Sequence, residues 1–283
     1  MRRSLAPTLI AAGRQVNLDG TPIVRRCDLE WPEHAADGAS SSAQYMLADD
    51  LLVRPIDPFD GVRVENATIH TYKPPYNRDA SVWLPPGEWH NAFTDELYNG
   101  GRNLSLTGVD VKQMPLFHRG GGAVISATHS DTAGWGGLVL HIWPTRASLA
   151  PALAVGQLAP PLTRILYAPS VADPNGSAPP ATVISKTEHA GRFELSFDPS
   201  KDTAPQLWSV RVHMPVGNSD GATPRTQLRC GESEVPLNAH PPSLLHQGPF
   251  AAAGDHAPPH APGDVLEGSV TVPQKLTCAF SIH

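Results

Sequence analysis

Residues 82–127 constrain the fold of this chain more than any other stretch. The run VWLPPGEWHNAF sets Pro85, Pro86 and Gly87 between Trp83 and Trp89, which predicts a hairpin corner with aromatics packed on either side. Asn99, Gly100 and Gly101 predict a second turn of the same kind. Residues 103–109 and 114–117 are short apolar runs with near period-two spacing, and Gly120, Gly121 and Gly122 precede the apolar Ala123, Val124 and Ile125. That spacing is antiparallel β, one sheet of a sandwich.

The rest of the chain extends the reading. Past residue 127, strands are expected at 138–143, 164–167, 182–185, 192–197 and 207–214, with turn chemistry at 173–176 and 198–205. Residues 236–263 read as a long Pro- and His-containing loop, and 265–272 and 276–282 as two closing strands. With 30 prolines, 24 glycines and only 17% charged residues, the composition suits short strands joined by many turns. The expected fold is mainly β: two antiparallel sandwich-like domains, 45–130 and 131–283, behind an N-terminal segment, 1–44.

That segment reads differently. Leu5, Leu9, Ala12 and Val16 have helical spacing, Ser4 is the expected N-cap, Pro7 falls in the first turn and Gly20 lies just past the end. Ile23 and Val24 read as a short buried strand, 29–32 as its extended exit, 35–43 as a small-residue loop and 44–47 as a single helical turn. Residues 51–56 read as a buried strand broken by Pro55 and Pro58, and 61–72 as a further strand. The first helix and strand have no obvious partner in the sequence.

A net charge of -6 without a basic run gives no footing for nucleic acid or an anionic membrane, and no stretch has the apolar length of a membrane span. The N-terminus has no uninterrupted apolar run of signal-peptide type. Cys27, Cys230 and Cys278 are odd in number and far apart, so buried or free thiols are expected, with neither a disulfide framework nor a zinc site. Asn66, Asn103 and Asn175 open acceptor triplets for N-glycosylation.

Asp49-Asp50 is the most conspicuous carboxylate pair. Retaining glycosidases hold two carboxyls about 5–5.5 Å apart across the scissile bond, whereas neighbours in an extended segment point to opposite faces. The pair therefore reads as turn or cap chemistry ahead of Leu51. Asp57 and Asp60 nearby have no paired geometry either. His256 and His260 are separated by Pro258 and Pro259, so no helix can present both to a metal; with His240 and His246 they remain a compositional cluster, and no metal or cofactor is expected. Gly120-Gly121-Gly122 lacks the Lys-Ser/Thr of a phosphate loop and reads as turn glycine. Trp83, Trp89, Phe93 and Tyr98 suit either a sugar-stacking platform or cross-strand packing, and packing is the commoner use.

The strand ending in Leu84-Pro85, the Gly87-x-Trp89 turn, Tyr98-x-Gly100-Gly101 and MPLFHRGG from Met114 together resemble the C-terminal β-domain of glycoside hydrolase family 31, the α-glucosidase family. YMLADDLLVRPI at 45–56 is similar to the segment leading into that domain, and 2–25 resembles the last helix and strand of the family's (β/α)8 barrel. The resemblance implies the C-terminal part of a retaining α-glucosidase-like enzyme, acting on an α-linked glucoside or related sugar only with a complete barrel. It also implies that Asp49-Asp50 sits at a domain junction. The family's Trp-x-Asp-Met-Asn-Glu nucleophile motif does not occur in this sequence, so no residue inherits a catalytic role. A non-catalytic carbohydrate- or protein-binding β-protein is the alternative.

Overall fold

The computed structural model describes residues 5–39, 41–56, 77–93, 95–110, 114–127, 130–131, 134–135, 137–149, 163–169, 182–189, 192–200, 206–214, 226–240, 265–272 and 274–282. The chain enters through helix α1 (Ala6–Asp19), β1 (Val24–Arg25), the single turn α2 (Cys27–Glu30) and a 3-10 segment (Pro32–Asp37), then β2 (Tyr45–Leu47) and β3 (Leu51–Val53). Next come β4 (Asn77–Leu84), β5 (Glu88–Asn91), β6 (Leu97–Asn99), β7 (Arg102–Asp110), β8 (Leu116–Arg119) and β9 (Ala123–Ala127). A small hairpin, β10 (Ser130–Asp131) with β11 (Gly134–Trp135), leads to β12 (Leu138–Ile142) and the short α3 (Arg146–Leu149). The remaining strands are β13 (Thr163–Ala168), β14 (Thr182–His189), β15 (Arg192–Pro199), β16 (Gln206–His213), β17 (Thr226–Cys230), β18 (Ser233–Val235), β19 (Asn238–His240), β20 (Val265–Val272) and β21 (Leu276–Ile282).

These strands stack as four layers. The outermost is the pair β4-β7; beneath it lies a six-stranded sheet ordered β1-β2-β3-β8-β5-β6. A five-stranded sheet, β19-β20-β16-β12-β9, and a second six-stranded sheet, β13-β14-β15-β21-β17-β18, complete the stack. Period-two alternation assigns the cores. Met46, Leu52, Trp89 and Phe117 face β4 with Val82, Trp83 and Leu84, while their neighbours Leu51, Val53 and Leu116 face Val124 and Trp143. Leu138, Leu140, Ile142, Trp208, Val210 and Val212 pack against Phe193, Leu195, Phe197 and Phe280 in the largest core. Among the described residues all adjacent strands are antiparallel except β12 and β16, which run parallel with Leu138 opposite Trp208.

Several expectations are corrected. The Pro85-Pro86-Gly87 corner is not a hairpin: β4 pairs with β7, and β5 with β6 and β8, so the chain changes layer there. The Asn99-Gly100-Gly101 turn makes the reverse change beside it, and Gly100 N–H and Gly101 N–H donate to Gly87 O (2.6 Å) and Leu84 O (2.8 Å). A Cβ at Gly100 would lie 1.7 Å from Pro85 O, so only glycine fits. The boundary at 130/131 is crossed by a sheet, because β9 pairs along its length with β12. Cys230 and Cys278 form a disulfide, since β17 and β21 pair in a register that puts the two residues opposite each other, Cα atoms 4.0 Å apart. Cys27 is the free, buried cysteine among the described residues.

The N-terminal segment also differs. Helix α1 begins after Leu5, which makes no side-chain cap; Ser4 lies outside the described residues. Gly20 ends it at φ 80°, its N–H donating to Val16 O. The buried face is Pro7, Thr8 and Ala11, a different face from the Leu5-Leu9-Ala12-Val16 stripe. Thr8 Oγ1 donates to Ile125 O (2.6 Å) and accepts from Ile125 N (2.9 Å), so one hydroxyl satisfies the free edge of β9 where no further strand pairs. The segment therefore has a partner within this chain. Ile23-Val24 is not buried as a pair, because Val24 points outward at 55% exposure while Arg25 turns in. Residues 27–30 are helical instead of extended, and 45–47 form β2 in place of a helical turn. The strand expected at 61–72 lies outside the described residues.

Candidate functional site

A cluster of ion pairs lies where β1, α2, the β2–β3 turn, the glycine bend after β8 and strands β13–β14 meet. The turn is built on Ala48, whose φ of 53° reverses the chain after Leu47, and whose N–H donates to Ile23 O (2.7 Å). Asp49 and Asp50 follow and diverge. Asp49, half exposed, accepts from Arg25 Nη2 at 3.0 Å, and the same nitrogen reaches Glu30 Oε2 at 2.8 Å. Glu30 Oε1 accepts from Arg119 Nη1 at 2.7 Å, so two arginines and two carboxylates alternate in one chain.

Asp50 is 4% exposed. Its Oδ1 accepts from Arg164 Nε at 2.9 Å and its Oδ2 from Ala123 N at 2.9 Å. Burial works against the charge on Arg164, but the Asp50 carboxylate and its hydrogen bond hold the guanidinium pKa above its ordinary value. Gly122 is a glycine for the same reason, since a Cβ there would lie 2.8 Å from Asp50 Cγ. On the far side of the bend, Lys186 Nζ, fully buried, donates to Gly121 O (2.7 Å) and Glu188 Oε1 (2.6 Å). Desolvation lowers the Lys186 pKa, against the attraction of Glu188. A cleft open to solvent runs beside this cluster between Thr8, Gln15, Asp49, Arg164 and Tyr167. The arrangement is a clamp: each named cation meets a named acid, and together they fasten α2, the β2–β3 turn, β8, strands β13–β14 and the bend.

A second polar group lies at the join between the middle sheets. Period two puts His90 and His118, Cα partners on β5 and β8, on the face opposite Trp89 and Phe117. Across the join stand His141 on β12, His213 on β16 and Trp143. Trp143 is sandwiched, with ring centroids 3.5 Å from His118 and 4.4 Å from His213. Ser126 Oγ is 2.9 Å from His141 Nε2, His141 Nδ1 is 2.9 Å from His213 Nε2, and His213 Nδ1 is 3.7 Å from Asp95 Oδ1. None of Ser126, His90, His118, His141, His213 or Asp95 is more than 5% exposed. His90 Nε2 meets Pro144 O at 3.2 Å, while Nδ1 of His90 and of His118 has no hydrogen-bond partner among the described residues. Burial pushes His90 down to about 3 and His118 well below the usual range, with neighbouring histidines adding to the effect.

The other candidates are placed as follows. Trp83 and Trp89 are buried; Trp83 meets Trp31 edge-on, and Trp89 Nε1 donates to Pro85 O, so both serve packing. Phe93 and Tyr98 are half buried, Tyr98 edge-on to Phe117. Asn103 is exposed on β7, its amide donating to Asp37 O. Asn66, Asn175, Asp57, Asp60, His246, His256 and His260 lie outside the described residues; His240 falls on β19. Among the described residues no group of three or more His, Cys, Asp or Glu is arranged to hold a metal, and no helix is long and apolar enough to cross a membrane. The histidine layer was missed in the sequence. Its signal was one histidine in each of four strands, as in Leu140-His141-Ile142.

Residues 20–125 match the family model described as the glycosyl hydrolase family 31 C-terminal domain. Comparison with curated protein sequences gives no match. Among solved structures, an uncharacterized protein of Listeria monocytogenes EGD-e, crystallised with α- and β-D-glucose, magnesium and calcium, superposes with TM-score 0.62 at 18% identity over 99% of this chain and 22% of its own. The family 31 dextranase of Flavobacterium johnsoniae complexed with glucose gives 0.61 at 14% identity over 99% of this chain and 31% of its own. An ER glucosidase II heterodimeric complex gives 0.61 at 14% identity over 100% and 28%. This chain thus spans less than a third of the length of those structures. Over residues 20–125 it is similar to the C-terminal domain of glycosyl hydrolase family 31, and family 31 enzymes share its mainly β fold across its length.

Proposed function

We propose that this chain is the C-terminal bracing part of a retaining α-glucosidase-type enzyme, and that none of its residues is a catalytic carboxylate. The family match over 20–125 carries the reading. The N-terminal elements support it, because Leu18, Val24 and Leu29 are 63%, 55% and 63% exposed within one short stretch. Large apolar side chains so close together mark a surface made to be covered, and a catalytic barrel is the cover that the family implies. Asp49 and Asp50 fit the bracing role, since their oxygens face arginines and a backbone N–H and do not confront each other across a gap. The substrate of the complete enzyme would be an α-linked glucoside or a related sugar, in keeping with the glucose held by the Flavobacterium dextranase.

The purified chain, given an aryl α-glucoside, is expected to release the aryl group at the background rate. Turnover above background that disappears on Asp49→Asn or Asp50→Asn would overturn the proposal and move the chemistry into these β layers.

A further inference from the structure

The histidine layer has no part in the clamp or in the bracing role, and its composition is unusual for a core. Four imidazoles, one indole and one carboxylate fill the join between the first six-stranded sheet and the five-stranded sheet, where Leu51, Val53, Leu116 and Val124 supply the remaining apolar contacts. We infer that this join is an acid-operated latch: neutral imidazoles hold the two sheets together, and protonation of the layer parts them.

The charge inventory supports the direction. From β5 the layer receives His90, from β8 His118, from β9 Ser126, from β12 His141, from β16 His213, and from the turn after β5 Asp95. Asp95 is the one buried carboxylate named in direct reach, and it faces His213. Besides His213, the charges acting on His90 are cations, Arg146 and Lys186, and Lys186 is already engaged by Glu188. A proton on His90 or His118 meets burial, neighbouring imidazoles or cations and an Nδ1 with no hydrogen-bond partner among the described residues. Because His118 and His213 sandwich Trp143, charging the stack acts on both sheets at once. The neutral form favours the closed state, so opening binds protons and becomes easier as pH falls.

The test uses the full chain between pH 8 and pH 4.5, with urea midpoints and hydrogen exchange, corrected for the intrinsic rate, read by peptide. Peptides of β8, β9 and β12 are expected to lose protection before those of β14 and β15. The opening constant should rise about tenfold per pH unit for each histidine that charges on opening. His118→Phe keeps a ring on Trp143 without a titratable nitrogen, and should make the rise about tenfold per unit shallower. If that variant fails to fold, the ring-proton resonances of His90 and His118 in the unaltered chain decide: they should hold their neutral positions until the cooperative opening. Individual titration near pH 6.5 in the closed state, an unchanged slope in a folded His118→Phe, or simultaneous loss of protection in all strands would overturn the latch.

Discussion

Replacing Asp50 by alanine tests whether the clamp holds the layers or merely decorates them. The substitution removes both acceptors at once: Arg164, 17% exposed, loses its carboxylate, and Ala123 N–H loses its partner at the start of β9. Breaking a buried pair by removing one partner costs about 3–5 kcal/mol, and the partial exposure of Arg164 argues for the lower end. An orphaned buried N–H adds about 1–3 kcal/mol. The sum, about 4–6 kcal/mol, is a large part of the roughly 5–15 kcal/mol that holds a domain folded. Asp49→Ala is the internal control, because Asp49 is half exposed and its pair with Arg25 is worth about 1 kcal/mol or less. Urea unfolding followed by tryptophan fluorescence should separate the two variants clearly. Adding Arg164→Met to Asp50→Ala should recover about 2 kcal/mol, since the stranded charge leaves with its side chain. If Asp50→Ala falls within about 1 kcal/mol of Asp49→Ala, or the double variant recovers nothing, the clamp reading is wrong.

Gly100→Ala should cost roughly 3 kcal/mol or more, because a Cβ 1.7 Å from Pro85 O forces the two layer-changing corners apart; a melting temperature unchanged by the substitution would refute this. Replacing Cys230 and Cys278 together by serine opens a loop with a sequence separation of 48 and should cost about 4 kcal/mol on the chain-entropy estimate, read as the lowered urea midpoint that reduction of the unaltered chain also produces. Removing residues 1–43 uncovers the β9 edge that Thr8 satisfies, so the shortened chain should be less soluble than the full one; equal or better solubility by light scattering would count against the docking of α1. His90, held near 3 by burial against an ordinary value of 6.5, contributes stability that is complete above about pH 6.5 and is lost as pH falls toward 3. The loss is about 1.4 kcal/mol per pH unit, so a folded His90→Phe should show a correspondingly flatter profile of stability between pH 6 and 4.

The sequence read best where the physics is local. Residues 265–272 and 276–282 read as strands and are strands with those same bounds. The Pro85-Pro86-Gly87 corner was legible as a turn, but turn chemistry reports that the chain bends and not which strand it meets next, so the change of layer was invisible. Cys230 and Cys278 gave no sign of pairing because their closeness is set by the register of β17 on β21, a long-range property. Helix α1 was recognised but its contact face was misread, since a hydrophobic stripe is the usual guide and here a threonine makes the decisive bonds. Strands β1 and β2, two and three residues long, are too short to carry a period. The clamp was half visible, as Asp49-Asp50 and the glycines; its cations come from positions far along the chain.

The place of β21 in its sheet sets an order of events in biosynthesis. Strands β13, β14 and β15 form a meander by local reversals and can assemble as soon as they are made. Yet β21, not β16, lies against the open side of β15, and β17 and β18 attach only through β21. Until residues 276–282 emerge, β15 presents a bare row of N–H and C=O groups beside Phe193, Leu195 and Phe197, whose side chains are destined for the largest core. A nascent chain paused at β20 would hold that edge open to any neighbouring copy. Slow translation between β15 and β21 is therefore the interval in which this fold is most exposed to aggregation.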